Sequence, residues 1–204
     1  MEEVDLYQYE KELWDNNINY VAGVDEVGRG PLVGPVVTAC VILPHDFRLE
    51  GLTDSKKLSE KKREKFYSYI IEHALSVSIG MMDEKVIDEV NIYEATKLAM
   101  YQAINNSDIK PDHVLIDAMK LEDLEMPSTS IIKGDAKSIS IAAASVVAKV
   151  TRDHMMIELD KQYPMYGFAS HKGYPTKKHV EALKKYGVLD NYRKTFHPVD
   201  ELVK

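Results

Sequence analysis

The chain has 204 residues, of which 45% are hydrophobic and 29% are charged, and its formal net charge is -7. This composition predicts one large domain with a sizeable core, and it excludes a disordered chain or a disulfide scaffold, because Cys40 is the single cysteine. No segment has the length of a membrane span and no apolar segment follows the acidic start, so we expect a cytoplasmic protein that does not engage a membrane.

The charge is unevenly distributed along the chain. Residues 1–20 carry six acids and one base, whereas residues 56–65 carry six bases and two acids. Residues 171–194 carry seven bases and two acids. This asymmetry predicts a cationic face on an acidic protein, which is typical of nucleic-acid binding. An ordinary solvated helix surface remains the alternative for either cluster alone.

The N-terminal residues predict a helix. Leu6, Tyr9, Leu13 and Trp14 stand at helical spacing, so we expect residues 1–18 to form a helical extension that packs against a domain spanning residues 19–204. Apolar, β-branched segments then predict strands at residues 21–25, 36–43, 74–82, 114–117 and 130–132.

Helical patterns lie between and after these strands. Residues 59–73 form a basic amphipathic segment, and Asn91 is positioned to cap a helix over residues 92–105. A long helix, apolar nearly all round, is predicted over residues 137–163, and shorter peripheral helices at residues 179–185 and around Asp190. The fold class is therefore α/β, a mixed central sheet flanked by helices with a C-terminal helical region.

Four acids stand where apolar strands end. Asp25 and Glu26 precede a glycine-rich turn, Asp117 ends a strand, and Asp135 follows the next strand. Strand ends can converge on one crevice, where four carboxylates would need hard cations such as Mg²⁺ or Mn²⁺. Two such ions about 4 Å apart could activate a water and stabilise the leaving 3′-oxygen of a phosphodiester.

Each acid also has an ordinary structural explanation. Asp25 could cap the turn that follows it, Asp117 could be a strand-end turn residue, and Asp135 could cap the next helix. These explanations are weaker for the four acids together, because all four lie where an apolar strand meets a glycine or small-residue turn. The sequence offers no Ser-His-Asp, Cys-His or zinc-spaced ligand set that competes with a carboxylate site.

Five sequence blocks, in order, closely resemble those of the ribonuclease HII family. They are Gly23-Val-Asp-Glu-Val-Gly-Arg-Gly-Pro-Leu-Val-Gly-Pro35, Asp54-Ser-Lys-Lys-Leu58, Asp117-Ala118, Lys133-Gly-Asp-Ala-Lys-Ser138 with Ala142-Ala-Ala-Ser-Val-Val-Ala-Lys-Val-Thr-Arg-Asp153, and Gly173-Tyr-Pro-Thr176. Together they cover about residues 20–198, nearly the whole chain. Arg29 also separates the chain from ribonuclease HIII, which resembles this family but lacks arginine in the glycine motif.

The resemblance implies an RNase H-like fold and metal-dependent endonucleolytic cleavage of the RNA strand of RNA–DNA hybrids. It also implies cutting on the 5′ side of single ribonucleotides embedded in duplex DNA, leaving 3′-hydroxyl and 5′-phosphate ends. The family's roles transfer residue by residue: Asp25, Glu26, Asp117 and Asp135 would be the catalytic acids that bind two Mg²⁺ or Mn²⁺ ions, Gly28, Arg29 and Gly30 would recognise the ribonucleotide, and Tyr174 would pack against the neighbouring sugar.

The basic segment adds further substrate contacts. Lys56 and Lys57 are expected to contact phosphates, and Ser55 to assist through its hydroxyl. Asp153 lies in a matching block four residues after Lys149 on one helix, which favours an ion pair or a supporting role over metal ligation. Residues 192–198 fit the family's basic-aromatic ending only loosely, and we assign no site to them.

Two other functions remain open from the sequence. One is another nuclease of the RNase H fold, of resolvase or exonuclease type, and the other is a noncatalytic binder of RNA–DNA hybrids. The retention of all four acids speaks against the second. The expected partners are RNA–DNA hybrid and ribonucleotide-containing duplex DNA, bound by a monomer. A sliding-clamp partner stays open, since no clear binding peptide is visible.

Overall fold

A computed structural model describes residues 5–203 and contains a five-stranded mixed sheet. Its strands are β1 (Val21–Val27), β2 (Val36–Ile42), β3 (Ser76–Met82), β4 (His113–Asp117) and β5 (Ser128–Ile131). Their order across the sheet is β3-β2-β1-β4-β5. The first three strands form an antiparallel meander, whereas β4 runs parallel to β1 and β5 runs parallel to β4. The predicted mixed α/β architecture is therefore confirmed.

Eight helices surround the sheet in the described part of the chain. They are α1 (Gln8–Asp15), α2 (Glu60–His73), α3 (Glu84–Val90), α4 (Ile92–Asn105), α5 (Ile139–Gln162), α6 (Phe168–His171), α7 (Lys177–Tyr186) and α8 (Val199–Leu202). Two three-residue 3₁₀ turns, Ser55–Lys57 and Gly134–Ala136, add to them. Among residues 5–203, no helix combines the length and apolarity that would let it cross a lipid bilayer.

Helices cover both faces of the sheet, and glycines set how closely they approach. A β-carbon built on Gly23 of β1 would lie 2.0 Å from the backbone of Ser140 in α5. A β-carbon on Gly80 of β3 would lie 2.0 Å from the Ala99 carbonyl oxygen of α4. Because only glycine permits such contact, α5 lies directly on one face of the sheet and α4 on the other. Cys40 is fully buried between them, as predicted for a small hydrophobe.

The predicted N-terminal helix is present as α1, and it docks on the sheet. Tyr9, Leu13 and Trp14 pack against buried residues of β1, β4, β5 and α5. Glu10 is fully buried and accepts hydrogen bonds from the Ser138 hydroxyl at 2.5 Å and from the Ser140 amide at 3.0 Å. Residues 1–4 of the predicted extension lie outside the described residues, and its separation from a domain over 19–204 stays a prediction.

Several boundaries differ from the sequence-based expectation. Strand β1 continues two residues past Asp25, because Glu26 and Val27 still pair with Thr38 and Val37 of β2. The predicted helix around Asp190 is wrong. The chain there forms a turn and then an isolated β-bridge between Tyr192 and Val33, so the tertiary contact of the tail outweighs its local pattern. Helices α3, α6 and α8 are too short to give a readable period.

Candidate active site

Three of the predicted acids meet at one edge of the sheet. The parallel pairing of β1 with β4 ends at Val24 and Ile116, so the next residue of each strand is Asp25 or Asp117. Asp135 lies in the turn that follows β5, the strand beside β4. One carboxylate oxygen from each of these three acids lies within 4.8 Å of the others. The topology thus produces the convergence that strand-end positions predicted.

The turn after β5 is held by Asp117. The Gly134 amide donates a hydrogen bond of 2.6 Å to Asp117 Oδ1. A β-carbon on Gly134 would lie 2.6 Å from Ile141 Cδ1 and 3.3 Å from that same oxygen, so no side chain fits between β4 and α5 here. Ser138, and not Asp135, caps helix α5 by accepting from the Ile141 amide at 3.2 Å. Asp135 is therefore left to face the other carboxylates.

Glu26 stands apart from this cluster. Successive strand residues alternate between faces, so Glu26 projects from the opposite side of β1 to Asp25. Its Oε1 lies 3.6 Å from Arg29 Nη1, and its Oε2 is buried without a hydrogen-bond partner within residues 5–203. It is not one of the three acids whose oxygens lie within 4.8 Å of one another. A buried carboxylate oxygen without a hydrogen-bond partner lowers the stability of the fold. A bound cation would supply the missing partner for this oxygen of Glu26.

The acids raise one another's pKa values. Burial raises the pKa of Asp25 well above its usual value, and the charges of Glu26 and Asp117 raise it further. Burial also raises the pKa values of Glu26 and Asp117. For Asp135 the causes are burial, then Asp117, then Asp54. The cluster therefore carries excess negative charge in a poorly solvated place, which a divalent cation would relieve.

Asp54 is a fifth acid at this site, and the sequence analysis placed it in a block that resembles the family without assigning it a role. It does cap the Ser55–Lys57 turn, since its Oδ1 accepts from the Lys56 amide at 2.9 Å. Its carboxylate also lies close enough to Asp135 to hydrogen-bond with it and raise its pKa. Its place in a block matching the family, directly before Ser55, was the available signal.

An open groove of about 420 Å³ runs beside the acids. It is lined by Glu26, Val27, Gly28, Arg29, Gly30, Lys56, Ile92 and Tyr174. The groove thus brings together the predicted glycine motif, one predicted phosphate-binding lysine and the predicted tyrosine. Tyr174 is 38% exposed, and a β-carbon on Gly30 would lie 3.3 Å from Tyr174 Cε1. The ring therefore lies directly against Gly30, and a larger residue there would press on it and displace it slightly.

Lys56 supplies positive charge next to the acids. Partial burial lowers its pKa, but the nearby charges of Asp25, Asp54 and Asp135 outweigh this and leave the pKa raised. The side chain therefore stays protonated at neutral pH. Lys57 is exposed on the same turn, but it is not among the residues that line the groove.

Ser55 is buried, and its hydroxyl faces the core. Its Oγ lies 2.9 Å from Ser145 Oγ of α5, and Ser145 lies next to Asp25 and acts to lower the pKa of that carboxyl. The sequence reasoning missed Ser145, although it lies in a quoted block on a buried helix. Ser55 and Ser145 together connect the lysine-bearing turn to Asp25. Ser55 therefore supports this turn from the core and does not line the groove.

Asp153 forms the predicted pair with Lys149, at 2.6 Å. Arg63 of α2 also approaches Asp153 at 3.8 Å and donates to the carbonyl oxygens of Ser55 at 3.2 Å and Leu58 at 2.6 Å. One base of the 56–65 cluster is thus turned inward to hold the lysine-bearing turn. The cationic-face prediction therefore rests on the other bases of that segment.

Comparison with known proteins identifies the family. The family model described as ribonuclease HII matches residues 22–199. This chain belongs to the ribonuclease HII family. A ribonuclease HII of Bacillus cytotoxicus is 58% identical over 201 residues, which cover 98% of this chain and 77% of that protein.

Solved structures of ribonuclease HII relatives share the fold. The crystal structure of ribonuclease H2 from Pyrococcus horikoshii matches with a TM-score of 0.76 and 29% identity, covering 89% of this chain and 96% of that one. Ribonuclease HII of Archaeoglobus fulgidus, solved in complex with PCNA, matches with a TM-score of 0.75 and 26% identity, covering 87% and 95%. Membership of the ribonuclease HII family establishes an RNase H endonuclease that acts on RNA–DNA hybrids and requires divalent metal.

Proposed function

We propose that this enzyme cuts the RNA strand of hybrids and also nicks duplex DNA on the 5′ side of single embedded ribonucleotides, leaving 3′-hydroxyl and 5′-phosphate ends. The observation that carries the proposal is the cluster of Asp25, Asp117 and Asp135 beside a groove lined by the glycine motif and Tyr174. Acids for phosphodiester hydrolysis and a surface for reading ribose thus lie next to each other.

The donor set fits Mg²⁺ or Mn²⁺. All its groups are carboxylates, the ligands that hard divalent cations prefer, and their raised pKa values reflect a site that lacks compensating charge. We propose that Asp25, Glu26, Asp117 and Asp135 hold two such ions. Bound there, the ions would supply charge stabilisation to the scissile phosphate and lower the pKa of an attacking water.

The protein's own residues bind and orient the substrate in this proposal. Lys56, which lines the groove, and Lys57, which is on the same turn, pair with phosphates of the cleaved strand and place the scissile bond against the acids. Ser55 fixes the turn that carries both lysines through its bond to Ser145. Positioning of this kind is a large part of catalysis in phosphate-ester chemistry.

Ribose recognition belongs to the glycine motif and Tyr174. Only the 2′-hydroxyl distinguishes RNA from DNA at one nucleotide, and reading it needs hydrogen-bonding groups at close range. Gly28 and Gly30 allow the backbone to approach the sugar, and the exposed Arg29 adds positive charge for the adjoining phosphates. The Tyr174 ring offers a flat surface on which the neighbouring sugar packs.

A cleavage assay on matched duplexes tests this function. With Mg²⁺, the wild-type enzyme should nick a DNA duplex that carries one ribonucleotide, on its 5′ side, and leave the all-DNA duplex intact. Replacement of Asp117 by asparagine should slow the reaction by about 1,000-fold, since a lost metal ligand removes several kcal/mol of transition-state stabilisation. Lys110→Gln, a change at an exposed ion pair with Glu125, is the control and should cut normally.

The alternatives give different results in the same assay. Equal cutting of all-DNA and ribonucleotide-containing duplexes would favour a resolvase or exonuclease type of RNase H-fold nuclease. Tight binding of hybrids without metal-dependent turnover would favour a noncatalytic binder. Full activity of Asp117→Asn would show that the proposed acids do not carry the reaction. We propose a monomer as the active form, and the PCNA complex of the archaeal relative leaves a clamp partner open for this chain.

A further inference from the structure

A buried arginine of the tail holds the glycine motif in place. Arg193 has no exposed surface, and its guanidinium donates to the carbonyl oxygens of four residues of the segment 28–34. The acceptors and donor–acceptor distances are Gly28 at 2.6 Å, Arg29 at 3.0 Å, Pro31 at 2.8 Å, and Gly34 at 3.0 and 2.8 Å. The Arg193 backbone amide also donates to the Leu32 carbonyl at 2.8 Å. Arg193 therefore donates hydrogen bonds to most of the carbonyl groups of this loop.

Arg152 of α5 completes the arrangement at the far end of the loop. It is 1% exposed and donates to the Val33 and Pro35 carbonyl oxygens, each at 3.0 Å. Neither arginine has a carboxylate within 4.0 Å in residues 5–203. Both buried guanidinium groups thus donate to carbonyl oxygens instead of to a paired carboxylate, which is unusual because the common partner of a buried charge is an opposite charge.

The anchoring fixes the direction in which the loop presents its donors. In a trans peptide the C=O of one residue and the N–H of the next point in opposite directions. With the Gly28 and Arg29 carbonyls directed to the buried guanidinium, the N–H groups of Arg29 and Gly30 face the exposed side. Neither of these amides has a protein acceptor in the part of the chain that the structure describes. The two donors therefore open onto the groove that Tyr174 lines.

The tail also steadies Tyr174 from below. Tyr192, the residue before Arg193, has its hydroxyl 2.7 Å from His179 Nε2, and His179 Nδ1 lies 2.8 Å from the Tyr174 carbonyl oxygen. Leu32 donates from its amide to the Gly173 carbonyl at 2.8 Å, so the glycine loop and the tyrosine loop are also joined directly. The glycine loop and the Tyr174 loop, which form two sides of the groove, are thus both held by residues 192–193 of the tail.

We propose that Arg193 is a positioning residue that sets ribonucleotide specificity by pulling the glycine-motif carbonyls inward, so that the Arg29 and Gly30 amides stay aimed at the ribose. This inference rests on the proposed function for its consequence in catalysis, although the anchoring can be measured without it. Arg193 touches neither substrate nor metal in this account. Its effect passes through the loop.

The test uses Arg193→Gln and Arg193→Lys in the full chain. In Arg193→Gln, kcat/KM on the single-ribonucleotide duplex should fall by about 100-fold, the effect expected when a recognition group moves by about 1 Å. The affinity for the matching all-DNA duplex and the Mg²⁺ concentration for half-maximal rate should stay within about twofold of wild type, because Lys56, Lys57 and the acids are unchanged and Arg29 keeps its charge. Lysine retains the charge but cannot fork to several carbonyls, so Arg193→Lys should restore less than a tenth of the loss.

A matched control separates positioning from general destabilisation. Leu183→Ala removes a fully buried side chain from the same C-terminal apolar cluster without removing a donor to the loop. Both variants are assayed at the same number of degrees below their own melting temperatures. Under these conditions Leu183→Ala should keep the wild-type ratio of kcat/KM on the ribonucleotide duplex to affinity for the all-DNA duplex. An equal drop in both quantities for Arg193→Gln, or the same ratio as in Leu183→Ala, would overturn the inference. Should Arg193→Gln not fold, the same criteria apply to Arg193→Lys.

Amide hydrogen exchange gives a readout that does not depend on catalysis. Peptides that cover residues 28–35 should exchange faster in the Arg193 variants, whereas peptides from α4 should keep wild-type protection. Wild-type exchange throughout residues 28–35 would contradict the anchoring. If the wild-type enzyme failed to cut the ribonucleotide duplex, the proposed function would fall, and the exchange data would still decide whether Arg193 holds the loop.

Discussion

At the residue scale, the site depends on side chains that do not touch the groove. Arg152 and Arg193 support the glycine loop, and Ser145 connects Ser55 to Asp25. No pattern of residue spacing identifies an arginine that binds backbone carbonyls, because its partners are not side chains. The acids could be predicted from their strand-end positions, but these supporting residues could not.

His179 gives a prediction about pH at the residue scale. It is fully buried, stacks on His171 with ring centroids 4.2 Å apart, and contacts the Tyr192 hydroxyl and the Tyr174 carbonyl. Burial lowers its pKa from 6.5 to about 4. Because the folded state binds this proton more weakly than the unfolded state, stability should be fully present above pH 6.5 and should fall as the pH drops towards 4.

Urea unfolding at several pH values measures this effect. Wild type should lose free energy of unfolding between pH 6.5 and about pH 4, and His179→Gln, which cannot take up the proton, should show a flatter profile. His197→Gln is the control, since the His197 side chain is 72% exposed, and it should follow wild type. A His179→Gln profile as steep as that of wild type would mean that other groups cause the acid loss.

At the element scale, the contact between β1 and α5 positions the acids. Helix α5 lies so close to β1 that a β-carbon on Gly23 would be 2.0 Å from the Ser140 backbone. The same helix carries Ser145 next to Asp25, two residues further along β1. The spacing between strand and helix therefore determines how Asp25 is held, and glycine at position 23 is the residue that permits it.

Replacement of Gly23 by alanine should therefore destabilise the fold. The added methyl group meets the α5 backbone at Ser140 and Ile141, and no side-chain rotation can relieve this contact, so we expect a loss of about 3 kcal/mol. Gly187→Ala is the comparison, because its φ is +90° but no atom lies within 4 Å of the added carbon, and backbone strain alone should cost about 1 to 2 kcal/mol. Chemical denaturation measures both. A Gly23→Ala loss below that of Gly187→Ala would show that α5 can move away from the strand.

The elements themselves were largely predictable, and the failures have identifiable causes. Helix α4 has its predicted bounds because Asn91 caps it through the Tyr93 and Glu94 amides at 2.9 and 3.1 Å. The tail around Asp190 was predicted as a helix and is a turn, because Asn191 and Arg193 use their backbones to bind Gly34 and Leu32. Local periodicity cannot register a partner that is about 160 residues away.

At the scale of the whole molecule, the fold gathers negative charge that Lys56 compensates only in part. Parallel pairing of β1 and β4 places Asp25 and Asp117 side by side, and the turn after β5 adds Asp135 and brings it against Asp54. Such a cluster destabilises the metal-free protein in proportion to how strongly the acids are buried and repel one another. Cation binding to the folded state should therefore raise the stability of the entire domain.

The melting temperature with and without Mg²⁺ tests this account most directly. Millimolar Mg²⁺ should raise the melting temperature of wild type and of Asp190→Asn, which changes an exposed acid outside the cluster, by the same amount. Asp25→Asn should melt at least as high as wild type without metal, since it removes a buried charge, and should gain much less from Mg²⁺. Equal Mg²⁺-induced shifts in wild type and Asp25→Asn would contradict a cation site built from these carboxylates.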